Sequence, residues 1–533
     1  MSLNLADLFE AVVDKLPDRT ALVCGDERRT FSQLDQRANR LAHYLAKQGV
    51  QVGEHVGIHM RNSTQFVEAL LACLKIRAVP VNINYRYTED ELTYLYNNSR
   101  IVSLIVDGEF VPIIAGTLPA CPGIKNVLVF GYVDDPTSIP LPINDFDDAM
   151  RTHSTDRDFG PRSDDDRFVI YTGGTTGMPK GVVWRHEDFF MAALGGGNHG
   201  GAAFTNTADL ADAVAANSHP MAFLLPAPLM HGAAVYSVFS GFFSGAKQVL
   251  MRSFEPLEAL RLIQDEQLSC ITVVGDAMAR PFTDAIARHG SDYDLTSLTL
   301  VSSGGALWSA SSKNQLLELM PNLFLRDGFG ASESGVDGTL EIDADGNMRV
   351  VGNPNMLVVD EKLCPVEPGS DMLGYIARVG HVPLGYFNDP EKTAQTFPVV
   401  DGVRMSILGD MGRVEPDGSI VLLGRGSVCI NTGGEKVFPE EVEAAIKSHH
   451  AVMDAVVAGT PNARFGEQVS AVVQLRDGFE DIDTDEIAEH CRASIAGYKI
   501  PRSIVVVPAI VRSPAGKADY RWARATVAEV VGA

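Results

Sequence analysis

The chain has 533 residues, 45 % hydrophobic and 21 % charged, which suits a soluble globular enzyme of roughly three or four domain-sized units and excludes a disordered chain. Forty-four basic residues against sixty-eight acidic ones give a net charge of −24; nucleic acid is excluded as a partner because its binding needs a basic footprint. Seven scattered cysteines with no Cys-x-x-Cys pair, no apolar run long enough to span a bilayer and no signal-like N-terminus predict a reduced, cytoplasmic protein with no integral membrane segment, disulfide framework or zinc site.

In chain order, Thr30 caps a helix whose apolar face is Phe31, Leu34, Ala38, Leu41 and Leu45, at spacings of three and four. His55–Met60 reads as a strand, Ser63 opens a helix through Phe66, Ala69, Leu70 and Cys73, and Val79–Asn82 returns as a strand. This β-α-β rhythm predicts a layered α/β domain with parallel strands. A strand at Phe168–Tyr171 then leads into Tyr171-Thr-Gly-Gly-Thr-Thr-Gly-Met-Pro-Lys180-Gly181. Its glycines expose backbone N–H groups, Thr175 and Thr176 add hydroxyls and Lys180 adds charge, a set suited to a polyphosphate at a strand's carboxyl end. Gly181 stands where a Walker A loop needs Ser or Thr, so this is no P-loop NTPase. Residues 187–222, rich in Gly, Ala and Asn, read as a long loop, equally a substrate-facing or lid element or a disordered surface excursion.

Beyond the Gly-punctuated break at Leu422-Leu-Gly-Arg-Gly-Ser427 the pattern changes. A helix from Pro439 to Ser448, strands near Val456 and Val472, a helix from Asp485 to Ile495 and a strand at Ile504–Val507 predict a small α+β domain.

The Tyr171–Gly181 stretch resembles the signature loop of adenylate-forming enzymes, the superfamily of acyl-CoA synthetases, luciferases and peptide-synthetase adenylation domains. Further segments follow in the superfamily's order: Pro228-Leu-Met-His231, Ser302-Ser-Gly-Gly-Ala306, Asp327-Gly-Phe-Gly-Ala-Ser-Glu333, Leu408-Gly-Asp410, Gly424-Arg425 and Ser513-Pro-Ala-Gly-Lys517. The resemblance implies a large α/β domain of layered sheets and helices with a β-barrel-like subdomain, residues 1–424, and a small mobile α+β domain, residues 425–533.

It also implies roles. Thr172, Gly173, Gly174, Thr175, Thr176, Gly177 and Lys180 would hold the outer phosphates of ATP. Gly304, Gly305, Ala306, Asp327, Phe329 and Gly330 would surround the adenine, and Ser332 would donate to a phosphate. Glu333 would hold Mg²⁺ as a hard oxygen ligand. Asp410 and Arg425 would bind the ribose or phosphate, and His231 would stand between nucleotide and acyl sites.

Lys517 would bridge the acyl carboxylate and the α-phosphate, offsetting the repulsion between two anions. After adenylation the small domain would turn about Ser427, withdraw Lys517 and bring Gly433 and Gly434 beside the pantetheine path, with Lys499 near a CoA phosphate. Ser427, Val428 and Asn431 depart from the Asp or Lys, Asp and Lys usual at those positions, which bears on the balance between the two orientations.

The pattern around Gly424–Val437 and Ser513–Trp522 is similar to bacterial acyl-CoA synthetases acting on fatty and sterol side-chain acids. The implied function is ATP- and CoA-dependent, Mg²⁺-assisted thioester formation from a hydrophobic acid. The implied partners are the small-molecule substrates, and a homodimer is compatible. An adenylation enzyme that loads a carrier protein, and a non-catalytic acyl or nucleotide binder, are the alternatives.

Overall fold

Local signals in the N-terminal region fold as their residue types dictate. In the computed structural model, Thr30 and Gln33 form a reciprocal capping box at the start of the helix Phe31–Lys47, whose buried face is Phe31, Leu34, Ala38, Leu41 and Leu45. Ser63 accepts from the Phe66 N–H and caps Thr64–Lys75. The structure describes the chain apart from residues 1–2, 136–138, 175–176, 199, 307, 343–347, 426–427, 433–434, 463–465, 480, 493, 513–517 and 532–533. Thr175, Thr176, Ser427, Gly433, Gly434 and Lys517 therefore lie outside the described residues.

Two large sheets carry the first 425 residues. One has eight strands, with His55–His59 pairing in parallel with Val79–Asn82 and Ile101–Asp107. The other has thirteen. Its centre is parallel, from Thr20–Cys24 through Lys247–Leu250, Ala222–Leu225, Cys270–Val273 and Leu300–Gly304 to Phe324–Ala331. From Gly335–Ile342 to Met356–Val359 it is antiparallel, with its own core of Val350, Val358, Ile376, Val414 and Ile420. These antiparallel strands continue the long sheet.

A shared core joins the two sheets. Phe168, Trp184, Phe189, Phe239 and Phe242 meet Phe9 and Phe31 there, and Phe9 and Phe242 are edge-to-face at 4.9 Å. Helices on the far side of the thirteen-stranded sheet bury Val249, Ile271, Val273 and Val301. Residues 187–222 are a correction to the expected loop. His186–Ala193 and Thr207–Ala216 are helices, the second capped by Asn206 and burying Leu210, Ala211 and Val214.

The C-terminal region has a five-stranded sheet and its own cores, one around Val442, Ile446, Val457 and Ile487 and one around Val472, Ala523 and Val527. It meets the large sheets through polar contacts. Arg280, on the helix Gly275–His289, donates to the carbonyls of Lys447 at 3.1 Å and Val452 at 3.0 Å, and Arg476 reaches Asp284 at 3.4 Å. Among the described residues no helix is long and apolar enough to cross a membrane.

Candidate active site

The glycine-rich motif is tighter than a loop after a strand. Arg167–Gly174 and Gly177–Arg185 are antiparallel partners, with Thr172 opposite Lys180 and Gly174 opposite Gly177. The described residues of the predicted phosphate-binding segment thus lie on the two strands of a hairpin. Gly181 is required by packing, because a Cβ there would overlap the ring of Tyr171 at 2.6 Å. The Tyr171 hydroxyl in turn donates to Asn98 at 2.6 Å, fixing the hairpin's base.

A cleft of about 200 Å³ opens between the antiparallel end of the long sheet and the C-terminal region. Gly305, Ala306, Phe329, Gly330, Leu408, Asp410 and Gly424 line it, with Glu440 from the small region. Its floor is apolar where Leu340, Met348, Met356, Ile376 and Leu422 meet, as a flat base requires. Gly305 has φ +84 and opens the turn after Leu300–Gly304. At Gly330, φ is +159 and a Cβ would collide with the carbonyl of Gly335, so only glycine fits. Gly304 lies against Gly328 in register, completing a small-residue wall. Asp410 pairs with Arg425 across the strands Ser406–Val414 and Ile420–Arg425.

Tyr386 joins the hairpin to this cleft. Its ring lies 5.5 Å from Lys180 Nζ, and its hydroxyl donates to Glu333 Oε1 at 3.0 Å. Burial, together with the Glu333 carboxylate, pushes the Tyr386 hydroxyl well above the usual phenol range, so it stays a donor. Phe397 packs edge-on against the ring at 5.4 Å. Tyr386 belongs to a short strand paired with Val182 and was not foreseen. The signal available in the sequence was Gly385-Tyr386 ahead of Asp389-Pro390, a strand end before a helix cap.

Ser332 sits at the N-terminus of the helix Gly232–Phe242, where a Cβ on Gly232 would come 3.0 Å from its Oγ. His231 is the N-cap residue of that helix and is half-buried. The positive end of this eleven-residue helix thus lies beside Ser332. Trp184 Nε1 donates to the Ser332 carbonyl at 2.9 Å and fixes that strand end.

Two expected residues are placed elsewhere. Asp327 is buried away from the cleft, its carboxylate held by Lys313 Nζ at 2.6 Å. Burial raises its pKa to about 6, and Lys313 opposes that shift. Lys499 is engaged with Glu441 at 2.7 Å and lies beside the Tyr498 ring. Thr172 and Lys180 are half-buried on facing strands, while Gly173, Gly174 and Gly177 form the adjacent backbone.

The cleft also contains a buried ion pair. Arg378 donates to Asp337 at 2.7 Å and to the Val336 carbonyl at 2.9 Å, and Ser334 donates to the same carboxylate. Burial pushes the Asp337 carboxyl up, and Arg378 opposes that shift. Breaking such a pair on one side strands a buried charge. Arg378→Met is therefore expected to lower unfolding stability by about 3–5 kcal/mol, measured by denaturant titration. The double variant Asp337→Leu/Arg378→Met should recover much of the loss. A single variant as stable as the parent would contradict this assignment.

No group of three or more His, Cys, Asp or Glu able to enclose a metal occurs among the described residues. Glu333 offers one carboxylate at the junction of hairpin and cleft, where Oε1 accepts from the Tyr386 hydroxyl. One protein carboxylate completed by substrate phosphates is the way Mg²⁺ is commonly held, so these residues fit it.

Residues 9–387 match the family described as AMP-binding enzyme, and residues 441–517 match the AMP-binding enzyme C-terminal domain. The 3-oxocholest-4-en-26-oate–CoA ligase of Rhodococcus rhodochrous is 45 % identical over 538 residues, covering 98 % of this chain and 96 % of that protein. The medium/long-chain-fatty-acid–CoA/3-oxocholest-4-en-26-oate–CoA ligase of Mycobacterium tuberculosis is 45 % identical over 529 residues, with the same coverage. Among solved structures, the anthranilate CoA ligase AuaEII with anthranoyl-AMP superposes with a TM-score of 0.83 at 24 % identity, covering 99 % of this chain and 98 % of that one.

Proposed function

This chain belongs to the AMP-binding enzyme family, and from that premise we propose that it is an AMP-forming acyl-CoA synthetase acting on fatty or steroid side-chain acids. The enzyme class follows from full-length relatives that are CoA ligases at 45 % identity. The observation that carries the site reading is Tyr386, which ties Lys180 of the glycine-rich hairpin to Glu333 beside the cleft.

In this reading the adenine lies against Gly305, Ala306 and Phe329, and Asp410 accepts from the ribose hydroxyls. The hairpin N–H groups and Lys180 hold the outer phosphates. These local donors offset the repulsion of a chain carrying −24. Mg²⁺, held by Glu333 with phosphate oxygens, would neutralise charge on the departing pyrophosphate. The acid's carboxylate oxygen attacks the α-phosphorus in line, the bond to the bridging oxygen breaks and pyrophosphate leaves. Lys517, from the small region, offsets the repulsion between carboxylate and phosphate. The CoA thiol then attacks the acyl carbon, loses its proton and expels AMP.

For CoA we assign Gly433 and Gly434 to the pantetheine path. Lys499 would have to exchange Glu441 for a CoA phosphate. We divide the chain at 424/425 into the domain that holds the nucleotide and the one that turns, and place the enzyme in the cytoplasm, where ATP and CoA are supplied.

The test is a panel of fatty, aromatic and steroid-derived carboxylates, scored by pyrophosphate release and by CoA thioester formation. Release with hydrophobic acids and conversion to thioesters is the expected result. Release without any thioester would favour loading of a carrier protein. No release with any acid would reject the enzyme reading.

A further inference from the structure

Ser332 and Glu333 follow the strand Phe324–Ala331 with their main chain held from two sides. Trp184 Nε1 donates to the Ser332 carbonyl at 2.9 Å, and Ser406 Oγ donates to the Glu333 carbonyl at 2.7 Å. The Glu333 side chain is met by the Tyr386 hydroxyl. Ser332 itself stays half-exposed between Ala331 and Ser334, both of which line the cleft.

Tyr236 approaches the same turn from the helix Gly232–Phe242. It stands four residues beyond Gly232, where a Cβ would come 3.0 Å from Ser332 Oγ, and residues four apart share a helix face. Phe189 meets its ring edge-on at 5.2 Å, and Phe189 packs in turn on Trp184 at 6.0 Å, the residue that grips the Ser332 carbonyl. Tyr236 is only 9 % exposed, and its buried hydroxyl has no hydrogen-bond partner among the described residues. Burial pushes this phenol well above its usual range, the Glu333 carboxylate adds to the shift and the Ser332 hydroxyl opposes it. The oxygen therefore faces the Ser332–Glu333 turn and keeps its proton. A buried hydroxyl left unpaired needs a cause.

We propose that Tyr236 is a positioning residue for adenylate formation, whose hydroxyl donates to Ser332 Oγ when Ser332 turns its own proton toward a phosphate of ATP. The inference rests on the acyl-CoA synthetase reading above. A serine hydroxyl has one proton and two lone pairs. Once that proton is directed at a phosphate oxygen, Ser332 Oγ can only accept, and Tyr236 supplies the donor from the helix side. Away from water the two bonds polarise and strengthen one another. Tyr236 thus acts through Ser332 without touching the nucleotide, as Tyr386 acts on Glu333 from the hairpin side.

The test compares the intact enzyme with Tyr236→Phe, alone and combined with Ser332→Ala or Ser332→Thr. Each protein is scored by calorimetric binding of MgATP and by the kinetics of pyrophosphate release. Tyr236→Phe should weaken MgATP binding and raise its KM by roughly threefold to tenfold, the loss of one neutral hydrogen bond. The KM for the acid should not change, and the melting temperature should equal or exceed the parent's, because the hydroxyl has no partner in the free enzyme. With Ser332→Ala already present, Tyr236→Phe should cost nothing more; with Ser332→Thr, which keeps a hydroxyl, its effect should persist. A Tyr236→Phe enzyme that binds and turns over MgATP as the parent does overturns the proposal, even if no Ser332 variant folds. So does an equal loss with and without the Ser332 hydroxyl, or a loss confined to the Mg²⁺ dependence, which would place the tyrosine on Glu333. If no acid releases pyrophosphate, the broader reading fails, and the binding comparison still decides whether Tyr236 acts through Ser332.

Discussion

Glu333→Gln is expected to lower kcat/KM for MgATP by roughly a hundredfold to a thousandfold, the scale at which lost stabilisation of transition-state charge is felt. The substitution keeps the shape and the acceptor for the Tyr386 hydroxyl, which now donates at 3.0 Å, and removes only the charge. ATP binding measured without Mg²⁺ should then stay near the parent value, and the Mg²⁺ concentration for half-maximal rate should rise. Tyr386→Phe is the milder companion. It removes one hydrogen bond to a charged group, expected to cost about 1.5–3 kcal/mol, while the ring under Lys180 remains. Its losses should appear in the Mg²⁺ dependence more than in the KM for the acid. A Glu333→Gln enzyme with parental rates and an unchanged Mg²⁺ requirement would remove the metal from this position.

Much of this arrangement was legible in the sequence where one local rule decides the outcome. Thr30 and Ser63 cap the helices they were expected to cap, because a hydroxyl just ahead of an apolar helical face can accept from the N–H three residues on. The order of motifs also carried over, and Gly305, Ala306, Phe329, Gly330 and Asp410 meet in one cleft. Composition misled at residues 187–222. Gly, Ala and Asn read as loop, yet Asn206 serves as a cap and Leu210, Ala211 and Val214 bury one helix face.

Side-chain direction was the second difficulty. Asp327 stands two residues from Phe329, but its partner is Lys313, fourteen residues back on a helix. Pairing of that kind is tertiary, and spacing along the strand does not reveal it. Tyr386 was missed for the same reason. It lies 53 residues from Glu333 in sequence.

Lys517→Ala should separate the two half-reactions. Adenylate formation is expected to fall by about 10²–10³-fold, because the ammonium acts where carboxylate and α-phosphate are forced together and few other cations are near. Of the charged groups around the cleft, Asp337, Asp410 and Glu440 are carboxylates, and Arg378 is already committed to Asp337. An uncompensated approach of two anions there is costly. Thioester formation from a preformed acyl-adenylate involves attack by a thiol on a neutral acyl carbon, so the same variant should retain that step within about threefold, as expected when the lost interaction belongs to one transition state only. The separation requires the small region to change its seat between steps. The bonds Arg280 makes to the Lys447 and Val452 carbonyls must then belong to one seat and be released in the other. Rapid-quench measurement of each half-reaction decides the matter: equal losses in both would mean that Lys517 stays in place throughout, and the two-orientation mechanism would not describe this enzyme.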